Sequence, residues 1–177
     1  MSRYLAIALS VFVVAVHAAP GAEVVVDFEQ AEIGKPLPTW SEKGVVFQLA
    51  GPLTQSKATG RVMFFPHLTT NHKGLLNAMA MEQSIPVKAV FPKGASTVTV
   101  VLWGSTGCPA LLEALDDKGE VVDRASVASV PGREAPADPV PFVQLSVKAP
   151  RIAAIRFSGP RNGEFLAADE IRFTPLQ

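Results

Sequence analysis

The carboxylates at the two ends of this chain form the combination of residues with the most specific chemistry. Residues 24–30 read "VVVDFEQ" and the closing stretch reads "ADEIRF", so Asp27, Glu29 and Asp169 each lie within a short apolar run. Carboxylates gathered at a partly buried strand end repel one another unless something positive sits among them. Hard oxygen donors of this kind suit Ca2+, which takes about 6–8 oxygens, some from backbone carbonyls and water. Lys43 or Arg172 would neutralise the same acids equally well, in which case they form ordinary salt bridges.

Two tryptophans supply a different chemistry. Trp40 follows "GKPLPT" in a loop, and Trp103 ends a β-type run beside "GSTG". An exposed indole stacks on sugar rings, whereas a buried one packs, and both readings stay open for each residue. His67 and His72 are the histidines outside the first eighteen residues, and both lie in "RVMFFPHLTTNHKGLLNAM". Two imidazoles and a carboxylate can hold a transition metal, but a spacing of five fits neither a helical face nor strand alternation. A small metal-dependent hydrolase is thus the weakest reading. No G-x-S-x-G, H-E-x-x-H, C-x-x-C or phosphate-cradling glycine loop occurs. Asp116 and Asp117 sit in "LDDKGE", where adjacent turn residues point apart and cannot face one bond. Cys108, the single cysteine, reads as a small buried or loop thiol.

The elements that must position these residues are strands. Short β-type runs punctuated by Gly, Pro, Asp and Asn predict strands at 24–29, 44–49, 61–65, 75–81, 87–91, 96–103, 110–115, 120–126, 141–147, 152–157 and 169–173. Period-two alternation puts Val24, Val26 and Phe28 on one face and Asp27 with Glu29 on the other; Asp169 shares a face with Ile171 and Phe173. "ALLEALDDKGEVV" predicts a hairpin turning at Gly119, and 129–141 is the longest irregular loop. The phenylalanines fall in β-type runs and read as core. This pattern predicts an all-β, antiparallel two-sheet sandwich of jelly-roll type with its first and last strands side by side.

Residues 1–18 have the pattern of a cleaved secretory signal: Arg3, an apolar run from Leu5 to Val16, and small residues at Val16 and Ala18. The expectation is a protein secreted or periplasmic, with residues 19–177 forming a single domain and no membrane span left after cleavage. Removing Arg3 leaves 15 basic against 16 acidic residues, a net charge of −1. That balance carries no overall electrostatic footprint for nucleic acid.

"VVVDFEQ", "GVVF", "FPKGASTVTVVLW", "LLEALDDKGEVV", "IAAIRFSGP" and "ADEIRF", taken in order, resemble the galactose-binding-like jelly rolls, a group that includes secreted carbohydrate-binding modules. The resemblance implies a non-catalytic module for a glycan or another surface component. It also implies a structural Ca2+ held by Glu29 or Asp27 of the first strand and Asp169 of the last. A structural or adhesive domain with a surface-protein partner is the alternative.

Overall fold

The computed structural model describes residues 21–32, 39–50, 63–66, 73–76, 78–80, 83–104, 106–132, 134–135, 141–158 and 166–177. Among the described residues, twelve strands follow one another with no helix between them: β1 (Val24–Val26), β2 (Thr39–Glu42), β3 (Val45–Leu49), β4 (Met63–Pro66), β5 (Lys73–Leu76), β6 (Ala78–Ala80), β7 (Gln83–Ile85), β8 (Val87–Gly104), β9 (Ala110–Leu115), β10 (Val121–Val127), β11 (Val143–Ser158) and β12 (Leu166–Pro175). Every pairing is antiparallel.

Two long strands build both layers of the sandwich. The first half of β8 pairs with β3 and with the second half of β11, which also pairs with β9. This gives one layer in the order β10-β9-β11-β8-β3-β2. The second half of β8 pairs with the first half of β11 and with β12, and β12 carries β1 and β5. Sequence patterning predicts two strands for each of these, because Pro92, Gly94 and Pro150 look like turns. They are corners instead. A proline cannot donate to a ladder, so it is tolerated where pairing is interrupted.

The corner preserves a continuous core. Val87, Ala89 and Phe91 are buried before it, and Val98, Val100 and Leu102 after it, so the inward positions switch from odd to even numbers. An extra residue at the bend produces that switch, and Gly94 takes the left-handed φ of 78° that the bend requires. β11 shifts register twice, between Lys148 and Ile152 and again before Ala154, so Val147 and Phe157 both face inward.

The terminal strands are neighbours as predicted: Val24, Val25 and Val26 pair with Phe173, Arg172 and Ile171. The hairpin also stands. Gly119 has φ 84°, and the Asp116 Oδ1 accepts the backbone N–H of Lys118 at 2.8 Å and of Glu120 at 2.9 Å. Cys108 is fully buried. The start of the predicted long loop is pinned, since Gly107 N–H donates to the Val130 carbonyl and Val130 N–H to the Cys108 carbonyl. Phe142 departs from the core expectation: it is 60% exposed, on the outward parity shared with Gln144 and Ser146.

Gly94→Ala should cost about 1–2 kcal/mol for a left-handed backbone with a side chain. A Cβ there would also lie 2.7 Å from Arg151 Nη1 and 3.0 Å from Leu176 Cδ1. At about 2–4 °C per kcal/mol for a domain of this size, thermal melting should fall by roughly 2–8 °C.

Candidate functional site

The acidic ends meet, but two lysines part the acids. β1 stops at Val26 because Phe28 adopts φ 59°, an unusual value for an aromatic residue, which breaks the expected alternation. The turn sends the Phe28 ring into the core, where its centroid lies 5.7 Å from Trp40 and 5.4 Å from Phe47. Asp27 and Glu29 therefore do not act together on one face.

Asp27 meets Lys43, whose Nζ lies 3.4 Å from Asp27 Oδ2 and donates to the Val25 carbonyl at 2.5 Å. Lys43 (φ 48°) and Gly44 (φ 82°) form the two-residue turn joining β2 to β3, and both take the positive φ such a turn needs. Glu29 meets Lys73 of β5: its Oε1 accepts the Lys73 backbone N–H at 3.0 Å. Lys73 Nζ in turn donates to the carbonyls of Glu29 at 2.6 Å and Ala31 at 2.9 Å. An ammonium thus takes backbone carbonyls of the kind a calcium ion uses. Asp169 sits at the register shift of β12 between Ala168 and Glu170. Among the described residues, no group of three or more metal-capable side chains converges. Two lysine ammonium groups thus stand in the region where the resemblance implies a calcium ion.

Behind Asp27 lies a carboxyl that the ends of the sequence do not announce. Glu42 is largely buried, and its Oε2 has no hydrogen-bond partner. Burial, then the Asp27 carboxylate, push Glu42 above the usual carboxylate range, with Lys43 opposing them. Burial works upward on Asp27 too. There the Glu29 N–H and Lys43 outweigh it and hold the group below its ordinary value.

The two tryptophans lie apart. Trp40 is on β2 rather than in a loop, paired with Phe47, and it packs against the core with ring centroids 5.7 Å apart. Trp103 ends β8 in the other layer and is 3% exposed. A Cβ on Gly74 of β5 would lie 3.6 Å from its indole nitrogen. Trp103 is buried, whereas Trp40 is half-buried against the core. His67 and His72 lie outside the described residues. Asp117 is taken by Arg151 of β11, with Nε 2.8 Å from Oδ2, and Arg151 Nη1 also donates to the Lys93 carbonyl at the β8 corner.

The outward face of the first layer carries the assembly that sequence reading missed. One row of directly opposed residues crosses six strands: Arg124 faces Glu113, Glu113 faces Arg156, Arg156 faces Lys88, Lys88 faces Gln48, and Gln48 faces Thr39. Neighbouring strands lie about 4.8 Å apart, so the row extends about 24 Å. At its middle Arg156 Nε is 2.5 Å from Glu113 Oε2, and Glu113 is 8% exposed. The next row along is apolar, with Val90 opposite both Ala154 and Val46. Among the described residues, the Lys88 and Arg124 side chains make no hydrogen bond or ion pair. The sequence held a signal for this row. Glu113 in "ALLEAL" and Arg156 in "AAIRFS" are single charges in the middle of otherwise apolar strands, where an outward position is the only affordable one.

The fold is an all-β, antiparallel β-sandwich. No family model matches the chain, and no characterised protein matches its sequence. Among solved structures it is similar to TmCBM61 in complex with β-1,4-galactotriose, at 15% identity and TM-score 0.47 over 88% of this chain and 94% of that one. A mutant of CBM29-2 complexed with mannohexaose is similar at 13% identity and TM-score 0.47, over 88% and 93%. The lectin domain of lectinolysin complexed with Lewis B antigen is similar at 12% identity and TM-score 0.43, over 59% and 72%.

Two outcomes check the lysine-clamped ends. Added Ca2+ or EDTA should leave the melting temperature unchanged. Lys73→Met should lower it by several degrees, because two carbonyls lose their donor at about 1–3 kcal/mol for a buried unsatisfied group. Glu42 gives a pH test. Its folded pKa is raised, so its contribution favours folding at low pH and is lost as pH rises through the folded value. Glu42→Gln should therefore raise the melting temperature at neutral pH, and the difference from the natural chain should vanish in acid.

Proposed function

We propose that this protein is an exported, non-catalytic binding module whose ligand is a glycan chain lying along the outward face of the first layer. The supporting observation is the polar row from Arg124 to Thr39 with an apolar strip beside it. A pyranose presents hydroxyls around its rim and C–H groups on its faces. Charged and amide side chains in a line match the rim, while Val90 and Val46 match the faces. A length of about 24 Å suits several linked sugars rather than one small molecule. The row is held on paired strands rather than loops, so little ordering entropy is lost when a ligand binds. The secretory pattern of residues 1–18 supports export, and so an encounter with extracellular glycans.

This reading moves the site away from Trp40 and Trp103, which pack inside or between elements. The test is a binding survey of purified residues 19–177 against a broad polysaccharide panel. At least one glycan should bind. Combined Gln48→Ala and Thr39→Ala should weaken binding about tenfold, with melting unchanged, since each neutral hydrogen bond contributes about 0.5–1.5 kcal/mol. Trp40→Ala should instead lower melting. Absence of binding to every glycan would remove this reading and leave the exposed Phe142 edge, and a protein partner, as the alternative.

A further inference from the structure

We propose that the ligand of this face is an acidic glycan, one whose sugars bear carboxylate or sulfate groups; the inference rests on the glycan-binding reading above. Across the outward positions of the six strands the row holds Arg124, Arg156 and Lys88 against one acid, Glu113. Among the described residues the row therefore carries an excess of two positive charges, whereas the chain without residues 1–18 has a net charge of −1. The excess is a local construction and not a reflection of overall composition.

Its arrangement is costly to the unliganded protein. Arg156 and Lys88 are directly opposed on neighbouring strands, and like charges in that relation destabilise a sheet. Glu113 offsets much of the Arg156 charge from the opposite side but leaves Lys88, on the other flank of Arg156, without compensation. Lys88 is half-buried beside that conflict, with no acid paired to it among the described residues, and Arg124 stands exposed at the far end of the row. An anion placed between Arg156 and Lys88 would relieve the repulsion and supply the missing partner. Arg156, fixed in orientation by Glu113, offers its remaining N–H groups as a planar donor pair suited to a carboxylate or sulfate. Lys88 adds a point charge. Gln48 and Thr39 continue the row with neutral groups that suit hydroxyls, so charged and uncharged sugar substituents would be read at different places along one chain.

The experiment compares polygalacturonate with the same polymer fully methyl-esterified, which keeps the backbone and removes the charge. Dextran sulfate and dextran form a second matched pair, and a single-stranded oligonucleotide serves as a non-glycan polyanion. The expected result is at least tenfold tighter binding to the charged member of one pair, with affinity falling as NaCl rises. Which pair discriminates tells carboxylate from sulfate. Lys88→Gln with Arg124→Gln should shrink both the discrimination and the salt dependence without lowering the melting temperature. Equal affinity for charged and uncharged members would overturn the acidic preference while leaving a glycan site in place. No binding to any of these polymers, nor to any member of the wider panel, would overturn the glycan reading itself. Oligonucleotide binding as tight as that of the best glycan would overturn the assignment of the face to sugars.

Discussion

Everything in this molecule depends on the pairing of β8 with β11. The two strands run antiparallel from Val143 opposite Leu102 to Phe157 opposite Val87, and both bend at the same corner to pass from one layer to the other. The bend keeps apolar side chains inside on both halves. It also fixes which residues face outward at the centre of the first layer, and that is why Arg156 stands opposite Lys88. Strand alternation allows no other outcome: slipping the register by one residue would put both charges in the core.

The closing of the two ends is a second constraint, and it explains a substitution of chemistry. A first strand beside a last strand brings acids and backbone carbonyls into one region, which a divalent cation can stabilise. Here Lys43 and Lys73 supply the positive charge: the Lys43 ammonium reaches the Asp27 carboxylate and the Val25 carbonyl, and the Lys73 ammonium the carbonyls of Glu29 and Ala31. The lysines come from a hairpin turn and from β5, so the clamp ties two distant parts of the chain to the segment of β1 and the turn after it. Phe28 completes it by placing its ring among Trp40 and Phe47, where aromatic pairs contribute about 0.5–1.5 kcal/mol each beyond their burial.

Local pattern made much of the fold legible. The hairpin at Asp116–Gly119, the buried Cys108, the β9 boundaries and the neighbouring terminal strands all follow from residue type and alternation. What escaped depends on contacts between distant residues. Pro92, Lys93 and Gly94 have turn composition, and only the partner strands show that they bend one continuous element. Trp40 lies after a proline-rich stretch that reads as a loop, yet Phe47 holds it in a strand. Glu29 and Lys73 lie 44 residues apart and Glu113 and Arg156 lie 43 apart, so no local window joins either pair. The charged row is the extreme case, since five cross-strand registers are needed before it exists.

The most direct test of the charged face is an amide-resolved NMR titration of the folded protein with an acidic oligosaccharide. Shift changes should concentrate along β9, β11, β8 and β3 around Glu113, Arg156, Lys88 and Gln48, with the indole signals of Trp40 and Trp103 nearly still. Changes centred on the Trp40 indole and the turns at the sandwich edge, with the outward strands silent, would contradict it.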